Sequence, residues 1–152
     1  MLSLLQKRHI SGVFQVRPTR LGGVVIIFPG SLGYYSKALE ENGWSHTYNW
    51  TKNIAGEATI EDLIKYSELE IKGIVDSDAV IILLPAGRGT HIELGMALAL
   101  NKKIFLCAAS KEEFGIENTV NFYQLPDCMK LVGSADENIK EILKMSNSSS
   151  TL

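Results

Sequence analysis

A carboxylate, Glu93, stands in the segment Pro85-Ala-Gly-Arg-Gly-Thr-His-Ile-Glu-Leu-Gly-Met-Ala97, behind two glycines and within a run that is otherwise largely apolar. Gly87 and Gly89 let the backbone take conformations closed to other residues and let a ligand come close, and Thr90 is suited to cap a helix running to about Leu100. A glycine turn feeding a helix N-terminus makes a site for an electron-rich group. With Thr90 as cap, Glu93 falls in the first turn, where the helix dipole and free N–H groups favour a charged carboxylate. A carboxylate held in that form can attack a carbon centre as a nucleophile. The structural alternative is a capping box, Thr90-x-x-Glu93, in which the glutamate folds back on the N–H of the cap.

The elements that must position this carboxylate follow from the pattern of apolar residues. Ala79 to Leu84 is an unbroken apolar run rich in β-branched residues, the signature of a strand buried on both faces of a parallel sheet. Gly23–Phe28 reads as strand 1, followed by the turn Pro29-Gly-Ser-Leu-Gly33 and a helix from about Leu32 to Asn42, closed by Gly43. Ser45–Trp50 alternates enough to be strand 2. Thr59 caps a second helix, whose Ile60, Leu63, Ile64, Ser67, Ile71, Ile74 and Val75 form one helical stripe expected to face the core. Glu70 borders that stripe and leans towards the carboxyl edge of the sheet. Lys103–Ala108 reads as strand 4, Asp127–Val132 contains strand 5, and a last helix runs from Ala135 to about Met145.

Strands alternating with helices predict an α/β fold: a doubly wound, five-stranded parallel sheet in the order 2-1-3-4-5, flanked by helices, of the Rossmann or flavodoxin kind. Ligands of such sheets bind at the carboxyl ends of the strands, at the switch point between strands 1 and 3. The turns Pro29–Gly33 and Pro85–Gly89 meet there, with Glu93 between them.

A chain of 152 residues fits one domain with a real core, here residues 22–145, preceded by a basic, acid-free extension over residues 1–21 and followed by a polar tail over residues 146–152. The segment reads as a native extension, an expression leader or an organelle-targeting segment; otherwise a cytoplasmic setting is expected. No apolar run approaches the ~20 residues of a membrane span. Cys107 and Cys128 cannot make a disulfide framework and read as core filler, and no metal-ligand spacing or cofactor motif appears, so neither metal nor cofactor is expected. The net charge is −2, yet five basic residues precede the first acid, Glu40, leaving all seventeen acids to face only ten bases in the body. An acidic body argues against nucleic acid as a partner.

Tyr48-Asn-Trp-Thr51, the acidic second helix ending in Asp76-Ser-Asp78, and above all Gly89-Thr-His-Ile-Glu-Leu-Gly-Met-Ala97 resemble the nucleoside 2-deoxyribosyltransferase family over roughly Val24 to Lys144. The resemblance implies that Glu93 is the nucleophile that takes deoxyribose from its base, acting on a nucleoside or nucleotide and a free base. It puts a family aspartate at Glu70, with Asp76 and Asp78 as further candidate acids to protonate the leaving base, and it implies a homo-oligomer. A family aspartate just before the nucleophile is replaced here by Gly87 and Arg88. Candidate binding residues are Pro29, Gly30, Ser31 and Gly33 for sugar or phosphate, Tyr48 and Trp50 as walls of a base pocket, and Gly87, Arg88, Gly89 and Thr90 on the second turn, with Arg88 suited to a hydroxyl or a 5′-phosphate. Pro85-x-Gly87-x-Gly89-Thr90-x-x-Glu93 also resembles the motif of phosphoribohydrolases, which release a base from a nucleoside monophosphate. A nucleotide-binding sensor is the third reading.

Overall fold

The computed structural model describes residues 24–27, 32–45, 47, 48 and 58–148. Within them β1 (Val24–Ile27), β2 (Ala79–Leu83), β3 (Lys103–Ala108) and β4 (Cys128–Val132) form one parallel sheet in that order. Every residue of β2 is buried, as an apolar strand without a polar face must be. Its register is set on both sides, with Val24 opposite Ala79 and Ala79 opposite Lys103, and β3 in turn places Ile104 opposite Cys128.

Four α-helices flank the sheet: α1 (Leu32–Glu41), α2 (Ile60–Asp76), α3 (Arg88–Ala99) and α4 (Ala135–Ser148). Alternation along the strands sends Ala79, Ile81, Leu83, Phe105, Cys107 and Leu131 to one face, where they meet Tyr35 and Leu39 of α1 and Ile139 and Ile142 of α4. Val80, Ile82, Ile104 and Leu106 point the other way, onto Ile74 of α2 and Leu94 and Ala97 of α3. Two short 3-10 turns, Lys111–Phe114 and Asn121–Gln124, carry the chain from β3 to β4, and Tyr123 of the second joins the α2–α3 side of the core.

Local chemistry sets the ends of the helices. Gly43 takes φ +83°, which only glycine adopts without strain, and the Trp44 N–H donates to Leu39 O at 3.0 Å to close α1. Thr59 and Asp62 form a capping box at the start of α2. Ser134 and Glu137 do the same for α4: the Ser134 N–H donates to Glu137 Oε2 at 2.7 Å, and the Glu137 N–H to Ser134 Oγ at 3.3 Å. Lys102 Nζ donates to Val75 O and Ser77 O at 2.7 and 2.6 Å, satisfying carbonyls that α2 leaves open at its C-terminus.

Three expectations change. Ser45, Thr47 and Tyr48 lie outside any strand, so the fifth strand expected over Ser45–Trp50 does not form in the described part of that segment; positions 46, 49 and 50 are outside the described residues. The last helix continues to Ser148, so 146–148 belong to it and not to a tail, because Ser and Asn weaken a helix end without breaking it. The predicted stripe of α2 faces largely outward. Ile74 alone of its apolar members is buried, while Ile60, Leu63, Ile64, Ile71 and Val75 are 47–68 % exposed. The helix instead seats itself through buried Gly73 and Ile74 and half-buried Tyr66, Leu69 and Glu70, where the missing side chain of Gly73 permits close approach. The extension over residues 1–21 lies outside the described residues.

Phe105, fully buried at the centre of the sheet, anchors the α1–α4 face. Phe105→Ala is expected to cost about 3–5 kcal/mol and Thr59→Ala about 1 kcal/mol. Urea unfolding of both variants checks this order, and a Thr59→Ala loss equal to that at Phe105 would show that the sheet does not carry the stability.

Candidate active site

The turn that leaves β2 builds the site. The Leu84 N–H donates to Cys107 O at 2.8 Å, prolonging the pairing with β3 by one residue, and a cis Leu84–Pro85 bond follows. Gly87, extended at φ −94° and ψ −178°, is the cap of α3, and the His91 N–H donates to its carbonyl at 3.2 Å. The helix therefore begins one turn earlier than expected. Thr90 is its third residue rather than its cap, and Glu93 lies in its second turn rather than its first. The dipole helps a carboxylate mainly within the first turn, so the helix end does less to hold Glu93 charged than the sequence implied.

That shift removes the capping-box account of Glu93. Five segments of this chain carry the same spacing of Ser or Thr and an acid, and two of them, Thr59 with Asp62 and Ser134 with Glu137, are boxes at the start of an α-helix. In both boxes the acid lies at the molecular surface, and its pKa is lowered chiefly by the N–H of its cap residue. Glu93 is instead 2 % exposed and shares the buried face of α3 with Thr90, Leu94 and Ala97. Leu94 and Ala97 pack on the sheet, and Thr90 and Glu93 continue that face towards the carboxyl edge.

Glu70 lies on the neighbouring helix, on the same side of the sheet. α2 and α3 both run from the carboxyl edge towards the amino edge and pack against each other. Glu70 stands six residues before the end of α2 and Glu93 six before the end of α3. At 1.5 Å per residue each lies roughly 9 Å of helix before its own C-terminal end. Burial pushes the Glu70 carboxyl up from its ordinary 4.5 to about 7.

The other candidates separate into near and far. Gly87, Arg88, Gly89 and Thr90 all lie on the turn and first helical turn beside Glu93, with Arg88 exposed and Thr90 buried. Gly33 is exposed in the first turn of α1; Pro29, Gly30, Ser31 and Trp50 lie outside the described residues. Tyr48 packs against the α2–α3 side of the core, beside the segment that Thr47 Oγ1 ties to Gly73 O at 3.3 Å. Asp76 and Asp78 stand at the amino edge, where β2 begins, and Asp76 pairs with Lys72. The strand separates them from the turn that precedes α3, whereas Glu70 lies on a helix packed against α3.

Sequence reading missed two features. His91 stacks on Tyr123, with ring centroids 5.8 Å apart and Nε2 2.9 Å from Tyr123 Oη, so it faces the β3–β4 connection. At the carboxyl edge, on the α1–α4 side, a cavity of about 130 Å³ is lined by Tyr35, Leu83, Cys107, Ala108, Gly133 and Asn138. Asn138 Nδ2 donates to Tyr35 Oη at 3.3 Å across 103 residues of sequence, a contact that no local pattern announces. A larger cavity of about 410 Å³, beside Asn101, Lys103 and Asp127, opens at the amino edge, away from Glu93 and from the end of a parallel sheet where ligands bind. Both thiols are buried and inert: burial pushes Cys107 up to about 12, and the two face opposite sides of the sheet. Among the described residues no cluster of His, Cys, Asp or Glu could hold a metal, and no helix is long and apolar enough to cross a membrane.

A parallel α/β sheet whose central strand ends in a glycine turn presents a place for a small molecule at the carboxyl ends of its strands. The family model for nucleoside 2-deoxyribosyltransferases matches residues 31–132, and the chain belongs to that family, whose members act on N-glycosidic bonds of nucleosides or nucleotides. Among solved structures it is similar to the CMP N-glycosidase BcmB of Clostridium botulinum, at 23 % identity and a TM-score of 0.54 over 73 % of this chain and 88 % of that one, a likeness of fold. Comparison with curated proteins returned no match.

The raised carboxyl of Glu70 gives a pH test. Because its proton is held more tightly in the folded chain, wild type loses stability relative to Glu70→Gln as pH rises from about 4.5 to about 7, with no further change above. Urea midpoints of the two proteins measured across that window check this; parallel curves would place Glu70 in water.

Proposed function

We propose that this protein transfers 2-deoxyribose between bases through a covalent glycosyl ester on Glu93. The observation that carries this reading is the burial of Glu93 at 2 % exposure behind a glycine turn, where the two capping-box acids of the same chain are at the surface. A Glu93 carboxylate oxygen attacks C1′ from the face opposite the base; the C–N bond breaks, its electron pair passes to the base nitrogen, and that nitrogen takes a proton from an acid. Glu70 is the acid we assign, because a carboxyl raised to about 7 keeps its proton in about half of the molecules at neutral pH, where an ordinary carboxyl has lost it. A second base then attacks C1′, displaces Glu93 and returns a proton to Glu70, so atoms and charge balance over the cycle.

In this reading Gly87, Gly89 and Thr90 shape the approach to Glu93, and Arg88 offers a guanidinium to a sugar hydroxyl or a 5′-phosphate. Pro29, Gly30, Ser31 and Gly33 complete the sugar or phosphate side, and Tyr48 and Trp50 wall the base. It takes the sheet as doubly wound and five-stranded in the order 2-1-3-4-5, with the four paired strands supplying positions 1, 3, 4 and 5. It takes the active form as a homo-oligomer in a reducing, cytoplasmic setting, to which two buried free thiols are suited. The second reading is an N-glycosidase in which water replaces the second base. The similar solved structure, a CMP N-glycosidase, and the exposed Arg88 on the turn favour it for a monophosphate substrate.

Incubation with a deoxynucleoside and a second free base separates the readings. Base exchange supports the transferase, free sugar without exchange supports the hydrolase, and saturable binding without product leaves only a sensor. Glu93→Gln is expected to keep the fold and lose at least about 10³-fold in turnover. A 2-fluoro-2-deoxynucleoside should leave a mass adduct on the peptide that contains Glu93; near wild-type turnover by Glu93→Gln would overturn the assignment.

A further inference from the structure

We propose that the cavity of about 130 Å³ at the carboxyl edge is a second binding site, which takes a free pyrimidine base and holds one of its N–H groups at Asn138 Oδ1. The choice of ligand rests on the reading that this chain releases and consumes free bases. The site is built on α1 and α4, on the other side of the sheet from the helix that carries Glu93. Its room comes from small residues where three elements end or begin: Ala108 closes β3, Ala109 follows it, and Gly133 and Ala135 lead from β4 into α4.

Small residues make space, and Asn138 says what fills it. The side chain is buried, at 4 % exposure, and lines the cavity. Its Nδ2 donates to Tyr35 Oη and to Gly133 O, both at 3.3 Å. A backbone carbonyl can only accept, so the amide nitrogen is the atom turned towards Gly133, and both of its hydrogens are spent. Oδ1 is left, and among the described residues it receives no hydrogen bond. A buried acceptor in that state costs free energy, and an N–H donor entering the cavity removes the cost.

Charge and size narrow the donor to one chemical class. No charged side chain lines the cavity, and burial pushes the Tyr35 hydroxyl and the Cys107 thiol far enough up that both are neutral at neutral pH. The first turn of α4 carries Asp136 and Glu137; Glu137 accepts from the Ser134 N–H and Oγ at 2.7 and 2.8 Å, and Asp136 accepts from the Tyr34 hydroxyl. A phosphate would meet those two carboxylates at the helix start, so the ligand is neutral. A cavity of about 150 Å³ admits a benzene ring. The present one therefore has room for a single six-membered ring, and none for a purine or a whole nucleoside. A neutral six-membered ring with N–H donors, from the chemistry proposed for this chain, is a pyrimidine base.

Titration of ¹⁵N-labelled wild type with uracil, with no nucleoside present, should shift the Asn138 side-chain amide and the backbone amides of Ala109 and Gly133 saturably. The parent ring pyrimidine, which has no N–H, should bind about tenfold more weakly, the worth of one hydrogen bond. Adenine should leave these signals in place. Ala109→Leu, a change at an exposed position on the rim, should abolish the shifts while the circular dichroism stays that of wild type. Shifts confined to the Gly89–Glu93 turn, shifts at Asn138 that pyrimidine or adenine reproduces at equal concentration, or shifts that survive Ala109→Leu overturn the site. Base exchange without a response at Asn138 removes the second site and leaves the transfer standing; a response at Asn138 without base exchange does the reverse.

Discussion

Everything at the carboxyl edge is arranged around one costly placement, a carboxyl group at 2 % exposure on a helix whose other buried residues include Leu94 and Ala97. Moving such a group out of water costs several kcal/mol unless its surroundings answer it, so a fold that keeps it has put it to use or has met the cost elsewhere. The sheet makes the placement possible. β2 is buried along its whole length and paired on both sides, so the turn that leaves it starts from a fixed point. Gly87 then takes the cap position that in α2 and α4 belongs to Thr59 and Ser134, and it brings no side chain of its own to close the helix end.

The chain itself supplies the controls for that reading. At Thr59 and Ser134 a hydroxyl and an acid three residues on close a helix start at the surface, and the acid ends with a lowered pKa. At Thr90 the same spacing lies inside the helix, one turn further along, and both residues are buried. The spacing of hydroxyl and acid is the same in all three places; the position of the cap differs. One turn of helix separates a residue that finishes a secondary structure from one aimed into the protein.

A similar rotation governs α2. Its apolar residues are numerous enough to suggest one stripe facing inward, yet Gly73 offers a flatter surface, and the helix seats there instead. Two results follow from the one choice. Glu70 comes to a half-buried position, where loss of water raises its pKa to about 7, a value suited to handing over a proton. The apolar row is left outward. Glu70 stays at the border of that row, and one packing phase sets both its partial burial and the exposure of the row.

The sequence by itself determined the apolar strands, the Thr59 cap, the glycine close of α1 at Gly43 and the resemblance carried by the segment from Gly89 to Ala97, because each is written in neighbouring residues. The buried strand needed no partner to be recognised, since an apolar run without a polar face has only one place to go. Only the tertiary structure decided which face of α2 turns inward, that α3 starts at Arg88, that Glu93 is buried while its look-alikes are not, and that Glu70 is half-buried on a helix packed against α3 while Asp78 is exposed where β2 begins. A helical period fixes spacing and leaves phase free. Phase is chosen by what packs alongside, and the residues that chose it here, Gly73 on α2 and the sheet under α3, carry no signal of that role in their own neighbourhood.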